Sequence, residues 1–289
     1  MIKLYSYGKI NLFLDIESKL NNGYHLIKTI MQSIDLHDEL LIEETSDNII
    51  KLECNDNFIP IDSKNICYKA AELIKNKYNI NKGIKIIINK NIPAGAGLAG
   101  GSGNSAATII GLNELWKLNM SNEEMLKIGL EIGADVPFCI LGGTYLAEGI
   151  GENLTRLNNF IWDNILIVKP PFSMSTAFVY NNLTSQNYNL YNISSMLQYI
   201  ENYKYTNTAS STANALEKAV SELHPEIIII KDIMYRFNAL SSAMTGSGSA
   251  IFGLFPDKQS LNQSYQSLIS KYPQTYKTKT MHKGISLNK

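Results

Sequence analysis

Cysteine is scarce in this chain. Cys54, Cys67 and Cys139 are the only three in 289 residues, and no two share a CxxC spacing. An odd count without that spacing argues against a disulfide framework and against a zinc site, and fits a reducing compartment. The four histidines, His25, His37, His224 and His282, are far apart and form no HxxxH pair, so no resident metal is expected. Excess charge of either sign is also missing: 26 Lys+Arg balance 26 Asp+Glu. Nothing here would hold a polyanion by bulk electrostatics, and no nucleic-acid partner is expected. The densest basic stretch, 271–283, is interrupted by Tyr, Thr and Pro and reads as a solvated surface. Apolar runs such as Ile227–Ile230 fall far short of the ~18 residues a bilayer span needs. The first seven residues carry neither a signal-peptide core nor an Arg/Ser-rich transit pattern. The expectation is a cytoplasmic chain without a membrane partner, a monomer or weak homodimer. What is present is ample core material, with 45% hydrophobic against 18% charged residues, in a length that suits one large or two modest domains.

Periodicity sketches a mixed α+β chain. Ile10, Leu12, Leu14 and Ile16 alternate with Asn11, Phe13 and Asp15, which is the strand period, and 26–34, 38–44 and 49–54 also read as strands. Helical spacing predicts a helix over 64–78, with Ile66, Ala70, Leu73 and Ile74 on one face, and residues 83–88 return to strand. Helices follow over about 104–118 and from Ser121 to Gly133; Ser121 and Glu124 form a capping-box pattern and Gly133 suits the position past a helix end. Strands are predicted at 140–148 and 164–169, and helices at 175–182, 194–202, 211–221 and 225–238. A strand–turn–strand over 241–255 surrounds Thr245-Gly246-Ser247-Gly248-Ser249, before a last helix and strand.

The most informative segment runs Pro93, Ala94, Gly95, Ala96, Gly97, Leu98, Ala99, Gly100, Gly101, Ser102, Gly103, Asn104, between a strand and a helix. Glycines let backbone N–H groups close around an anion, and a helix behind them adds unpaired N–H groups and a dipole. The entropy such a run costs has to be offset, and phosphate binding offsets it better than a flexible linker does. No Gly-Lys-Ser/Thr triplet occurs, so the loop is not a P-loop. The literal GxGxxG at 95–100 lacks the acidic residue at the end of a second strand that dinucleotide binding requires: Glu114 lies inside the predicted helix.

That segment resembles the second conserved motif of the GHMP kinases. Lys9-Ile10-Asn11-Leu12 is similar to the first motif, and Thr245-Gly246-Ser247-Gly248-Ser249-Ala250 to the third. Gly23-Tyr24-His25 and Gly133-Ala134-Asp135-Val136-Pro137-Phe138 resemble the family's diphosphocytidyl-methylerythritol branch. The likeness runs in order along nearly the whole chain. It departs at Gly103, where that branch usually has a second Ser, at Ser105, and at Asn214-Ala215, where an Asp often follows the Asn. A hydroxyl restored at Gly103 is expected to be tolerated.

The resemblance implies two domains: a ribosomal protein S5 domain 2-like ATP-binding domain over 1–157 and a ferredoxin-like C-terminal domain over 158–289. It implies transfer of the γ-phosphoryl group of ATP, with Mg2+ as the partner of ATP, to the 2-hydroxyl of a cytidine diphosphate-linked methylerythritol in non-mevalonate isoprenoid precursor synthesis. Asp135 would accept the hydroxyl proton and Lys9 would stabilise developing charge. Asn11, two residues on and thus on the same side of a strand, would orient the substrate. Residues 93–103 would hold the phosphates, with Asn65 on the adenine side and Lys90 flanking it. Tyr24 and Tyr180 would stack on cytosine, His25 would hydrogen-bond its edge, and Thr176 would touch the substrate. Taken residue by residue, other readings stay open. Asp135 and Asn65 could each cap a helix, Tyr180 could be core, and the 245–249 turn could be a second phosphate contact or a plain hairpin. A homoserine- or mevalonate-type kinase, or a non-catalytic nucleotide binder, would carry the same loop.

Overall fold

The fold is laid out around one long strand in a computed structural model that describes residues 1–288. Strand β1 (Ile2–Lys19) turns through Asn21–Gly23 into β2 (His25–Thr45), and the two pair antiparallel along nearly their full length. There follow β3 (Ile50–Cys54), α1 (Ile66–Lys77), β4 (Gly83–Asn89), α2 (Gly100–Trp116), α3 (Asn122–Ile132), α4 (Val136–Leu141), β5 (Thr144–Glu148) and β6 (Asn153–Arg156). The second half contains β7 (Ile165–Val168), α5 (Thr176–Asn181), a 3-10 turn at Ser185–Asn187, α6 (Ser194–Glu201), α7 (Tyr205–Ala209), β8 (Ala213–Asn214), α8 (Glu217–Ser221) and α9 (Glu226–Arg236). It closes with β9 (Ser241–Met244), β10 (Ile251–Leu254), α10 (Lys258–Ile269), β11 (Thr275–Thr278) and β12 (Ile285–Asn288).

Two sheets result. The first runs β12-β1-β2-β4-β3, with β5 and β6 continuing beside the lower part of β2 and β8 pairing with β1. The second has the order β11-β7-β10-β9 and is antiparallel throughout, with α9 and α10 on its crossovers, a split βαβ arrangement of the ferredoxin-like kind. Residue 157 falls between β6 and β7, at the passage from one sheet to the other. Strands β8 and β12 nevertheless come from the second half and pair with β1 in the first sheet.

Helices α1 to α4 cover one face of the first sheet, where Leu4, Leu40, Ile42, Ile84 and Ile86 meet Ala70, Ile109, Leu112 and Phe138. A second core lies between the small sheet and its helices, around Leu166, Val168, Met234, Ile251 and Leu268. A third joins the two sheets: Ile10, Leu12, Ile30 and Ile34 pack with Ile165, Ile167, Ala243 and Phe252. Strand β1 is therefore buried on both sides from Ser6 to Ile16. Ile10 and Leu12 enter the shared core, while Lys9 and Asn11 point to the opposite side. A register shift between Asn11 and Phe13 then turns Phe13 into that core.

Several boundaries differ from the sequence reading. Residues 26–34 and 38–44 are one strand, because β1 pairs with both parts across an irregularity near Gly8. Helix α2 starts at Gly100, four residues before the predicted 104. Residues 136–141, partly assigned to a strand, are helical: Pro137 sits in the first turn and Gly142 (φ +64°) ends the element, and a short buried apolar run cannot distinguish helix from strand. The helix predicted over 211–221 is interrupted, because Ala213–Asn214 pair parallel with Phe13–Leu14 and only Glu217–Ser221 are helical. The capping box at α3 is half made. Ser121 Oγ accepts from Glu124 N at 3.2 Å, but the Glu124 carboxylate goes to Tyr78 Oη and Lys77 instead.

Candidate active site

A cavity of about 1070 Å3 lies where both sheets, the glycine loop and the start of α5 converge. Along one wall runs the segment 93–102. Ala99 takes a left-handed conformation (φ 55°), α2 begins at the next residue, and no side chain caps it. The first N–H bonded within the helix is that of Gly103, to Ala99 O at 2.8 Å. The N–H groups of Gly100, Gly101 and Ser102 are thus the unpaired ones of the first turn, and all three residues line the cavity. The first turn has no acidic residue, so nothing offsets the positive end of the helix dipole. Lys90 adds a cation beside Gly100. It is paired with the fully buried Asp38, which also accepts from the N–H groups of Asn91 and Ile92.

The loop is pinned from two sides. Lys9 N donates to Leu98 O at 3.1 Å, and Ala250 N donates to Ala96 O at 3.1 Å. Gly97 has φ +76°, and a Cβ there would run into Thr245 O, so only glycine lets the 245–249 turn approach this closely. The turn is therefore more than a hairpin: Gly246, Ser247 and Gly248 line the cavity opposite the loop. Asn214 braces it from below, donating to Met244 O at 2.6 Å and Gly246 O at 2.8 Å.

Lys9 and Asp135, 126 positions apart in sequence, meet on the cavity floor, with Lys9 Nζ 3.8 Å from Asp135 Oδ2. Lys9 is 5% exposed and also donates to Asn11 Oδ1 at 2.7 Å. Asp135 occupies the position before α4, but its carboxylate makes no capping hydrogen bond and lines the cavity beside Lys9. The capping alternative is therefore not the one the side chain adopts. Tyr24 and His25 also line the cavity, Tyr24 largely exposed and His25 buried. The Tyr180 ring lies 5.2 Å from the His25 ring, and the Tyr188 hydroxyl 3.3 Å from His25 Nε2. Burial, and then the charge of Lys19, pull the His25 pKa below its ordinary value. Burial, and then the nearby Asp135 charge, push the Tyr180 phenol up, so it stays a neutral ring at neutral pH. Thr176 lines the same cavity, its hydroxyl 2.9 Å from that of Ser247.

Two expected site residues sit differently. Gly103 does not line the cavity. It faces β1, where a Cβ would collide with Ser6 Oγ, so the missing side chain makes room for Ser6 and does not shape the cradle. Asn65 lines the cavity, but its amide is used as a helix cap: Oδ1 accepts from Cys67 N at 2.8 Å and Nδ2 donates to Pro60 O at 2.6 Å. The sequence reading missed Tyr188, Thr29, the contact of Thr245 with Asn11 and the bracing role of Asn214. Tyr188 falls between the predicted helices 175–182 and 194–202, where no element is predicted, and Thr29 is one polar position within a strand.

Residues 65–143 match the family model for the GHMP kinases N terminal domain, and residues 197–274 match that for GHMP kinases C terminal. The chain belongs to the GHMP kinases. As such it is a small-molecule kinase that takes ATP as phosphoryl donor. This GHMP kinase is 43% identical, over 99% of its length and 97% of the relative's, to a 4-diphosphocytidyl-2-C-methyl-D-erythritol kinase of Clostridioides difficile (strain 630). It is 48% identical to the protein of that name from Caldicellulosiruptor bescii, over 89% of this chain and 90% of that one. Among solved structures, a 4-(cytidine 5'-diphospho)-2C-methyl-D-erythritol kinase superposes with a TM-score of 0.82 at 25% identity, covering 96% of this chain and 98% of its own. A homoserine kinase from Cytophaga hutchinsonii superposes with a TM-score of 0.79 at 18% identity, covering 99% and 97%, and shares the fold. No helix among the described residues is long and apolar enough to cross a membrane.

Proposed function

We propose that this kinase transfers the γ-phosphoryl group of ATP to the 2-hydroxyl of 4-diphosphocytidyl-2-C-methyl-D-erythritol, a step of non-mevalonate isoprenoid precursor synthesis. The observation that carries the reading is the layout of one cavity. An anion cradle of free helix N–H groups, an acid–lysine pair at 3.8 Å and a Tyr-His-Tyr cluster all line it. Homoserine or mevalonate has no base to occupy that aromatic cluster. The near full-length likeness to kinases named for the cytidyl substrate supports the same choice.

In the proposed mechanism, the N–H groups of Gly100, Gly101 and Ser102, with the 246–248 turn opposite, hold the triphosphate. The Asp135 carboxylate takes the proton of the attacking hydroxyl, and the buried Lys9 ammonium offsets charge building on the transferred group. Asn11 and Thr176 orient the polyol. His25 reads the cytosine edge between Tyr24 and Tyr180. On the donor side, Asn65 shapes the adenine end through the α1 cap. Mg2+ fits as a companion of ATP: Ser102 and Asp135 bring oxygen donors to the cavity wall, and Mg2+ needs few protein ligands because it keeps waters and phosphate oxygens. It would neutralise phosphate charge. No cluster of three His, Cys, Asp or Glu suited to a resident metal occurs among the described residues. We also take residues 1–157 and 158–289 as the two functional halves, and the enzyme as a cytoplasmic monomer or weak homodimer without a nucleic-acid partner.

The test is ADP release with the cytidyl substrate and ATP-magnesium, with homoserine and mevalonate as comparators and free CMP as competitor. Turnover of the cytidyl substrate, inhibited by CMP, is expected. Turnover of a comparator alone, or no CMP competition, overturns the assignment.

A further inference from the structure

The Asn11 amide has two different ends, and only one of them can face a lysine. Its Oδ1 accepts from Lys9 Nζ at 2.7 Å, while its Nδ2 donates to Thr29 Oγ1 at 2.8 Å. The Thr29 hydroxyl donates its single proton to Phe13 O at 2.6 Å. Toward Asn11 it can then only accept, so the group facing it must be the NH2 end. Lys9, which has donors and no acceptor, demands the oxygen end from the other side. The two constraints agree and leave one orientation. Lys9, Asn11 and Thr29 are 5%, 3% and 1% exposed, so water has little access to replace a lost partner.

We infer that Thr29 is a positioning residue for the phosphoryl-transfer step: its hydroxyl locks the Asn11 amide, and the locked amide holds the Lys9 ammonium beside Asp135. The inference rests on the reading of Lys9 and Asp135 as the reacting pair. Thr245, from the turn of the second domain, supports the same amide without fixing it. It accepts from Asn11 N at 3.0 Å, and its hydroxyl lies 3.3 Å from Asn11 Oδ1 and 3.4 Å from Gly97 O, so its proton has two acceptors to choose from. Thr29 has no such choice. Removing its oxygen leaves the buried Asn11 NH2 without an acceptor, so the amide is held from the Lys9 side alone and the contact that places Lys9 3.8 Å from the carboxylate loosens. The acceptor of the Thr29 proton, Phe13 O, lies directly beside the register shift between Asn11 and Phe13 in β1.

The experiment compares Thr29→Val, which keeps the branched shape and loses the hydroxyl, with Thr29→Ser, which keeps the hydroxyl and loses a methyl group. Steady-state kcat and both KM values are measured with ATP-magnesium and the cytidyl substrate, beside Asp135→Asn and Lys9→Ala. Thr29→Val is expected to lower kcat about 10- to 100-fold while both KM values move by less than about threefold, and Thr29→Ser to retain at least about half of kcat. If Thr29→Val stays within about twofold in kcat, or if Val and Ser lose equally, the residue is packing and the inference falls. Should Thr29→Val not fold, Thr29→Cys, whose thiol accepts poorly, takes its place under the same criteria. Normal turnover in Asp135→Asn and Lys9→Ala would instead remove the underlying reading of the pair, an outcome separate from any result at Thr29.

Discussion

Replacing Asp135 by Asn keeps the side-chain shape and removes its capacity to take a proton. Turnover is expected to fall about 10²- to 10⁴-fold while ATP affinity stays within about threefold, read by ADP release and nucleotide titration. Near-normal turnover would show that the carboxylate is not the base. His25 carries a pH signature. Its pKa is lowered from 6.5, first by burial, so the folded state resists the proton that the unfolded chain accepts. Stability is complete above that ordinary value and declines as pH falls through it, levelling off only below the folded value. Urea unfolding from about pH 7.5 to 5 should show this decline in the parent, and His25→Gln should flatten it; an unchanged slope would remove His25 as its source. Gly103 shows where reading letters misleads. In sequence a serine there looks harmless, but in the fold its Cβ would strike Ser6 Oγ inside buried β1. Gly103→Ser is expected to cost about 1–3 kcal/mol, and Ser6→Ala in the same chain to return most of it. Unfolding of the single and double variants checks this, and purely additive losses would deny the contact. Ser6 precedes the first motif and Gly103 ends the glycine segment, and no periodicity links them.

Among elements, the loop–helix junction at 93–103 was readable because glycine, small residues and a following apolar helix have one obvious use. Its exact start was not, since helical glycines and loop glycines are spelled alike. The interrupted segment at 211–221 was illegible for a different reason. Its spacing is helical, but pairing of Ala213–Asn214 with β1 overrides local preference. That pairing places Asn214 under the 245–249 turn. Asn214→Ala removes three buried hydrogen bonds, from Nδ2 to Met244 O and Gly246 O and from Leu216 N to Oδ1. A destabilisation of about 1–3 kcal/mol is expected, together with a raised KM for ATP because the turn faces the cradle. Thermal unfolding and kinetics report both, and a stability loss with unchanged KM would confine Asn214 to a structural part.

At the scale of the whole molecule, the motifs announced two domains, but the way the domains are joined was hidden, because strand pairing across long separations leaves no local trace. The shared core of Ile10, Leu12, Ile165 and Phe252 glues the sheets together, and β12 crosses back to flank β1, with Tyr7 N bonded to Gly284 O at 3.0 Å. Removing the chain from residue 285 onward should expose Lys3 to Ser6 and raise amide exchange there by at least about tenfold, with the small sheet less affected. Unaltered exchange at those positions would mean that β12 only decorates the edge. The pairing also bears on biogenesis. While a ribosome is still extending the chain, the strand bearing Lys9 has its hairpin partner but lacks its outer neighbour, which follows every other described element. The nascent enzyme must wait with one border of its larger sheet unzipped, a template for wrong partners during translation.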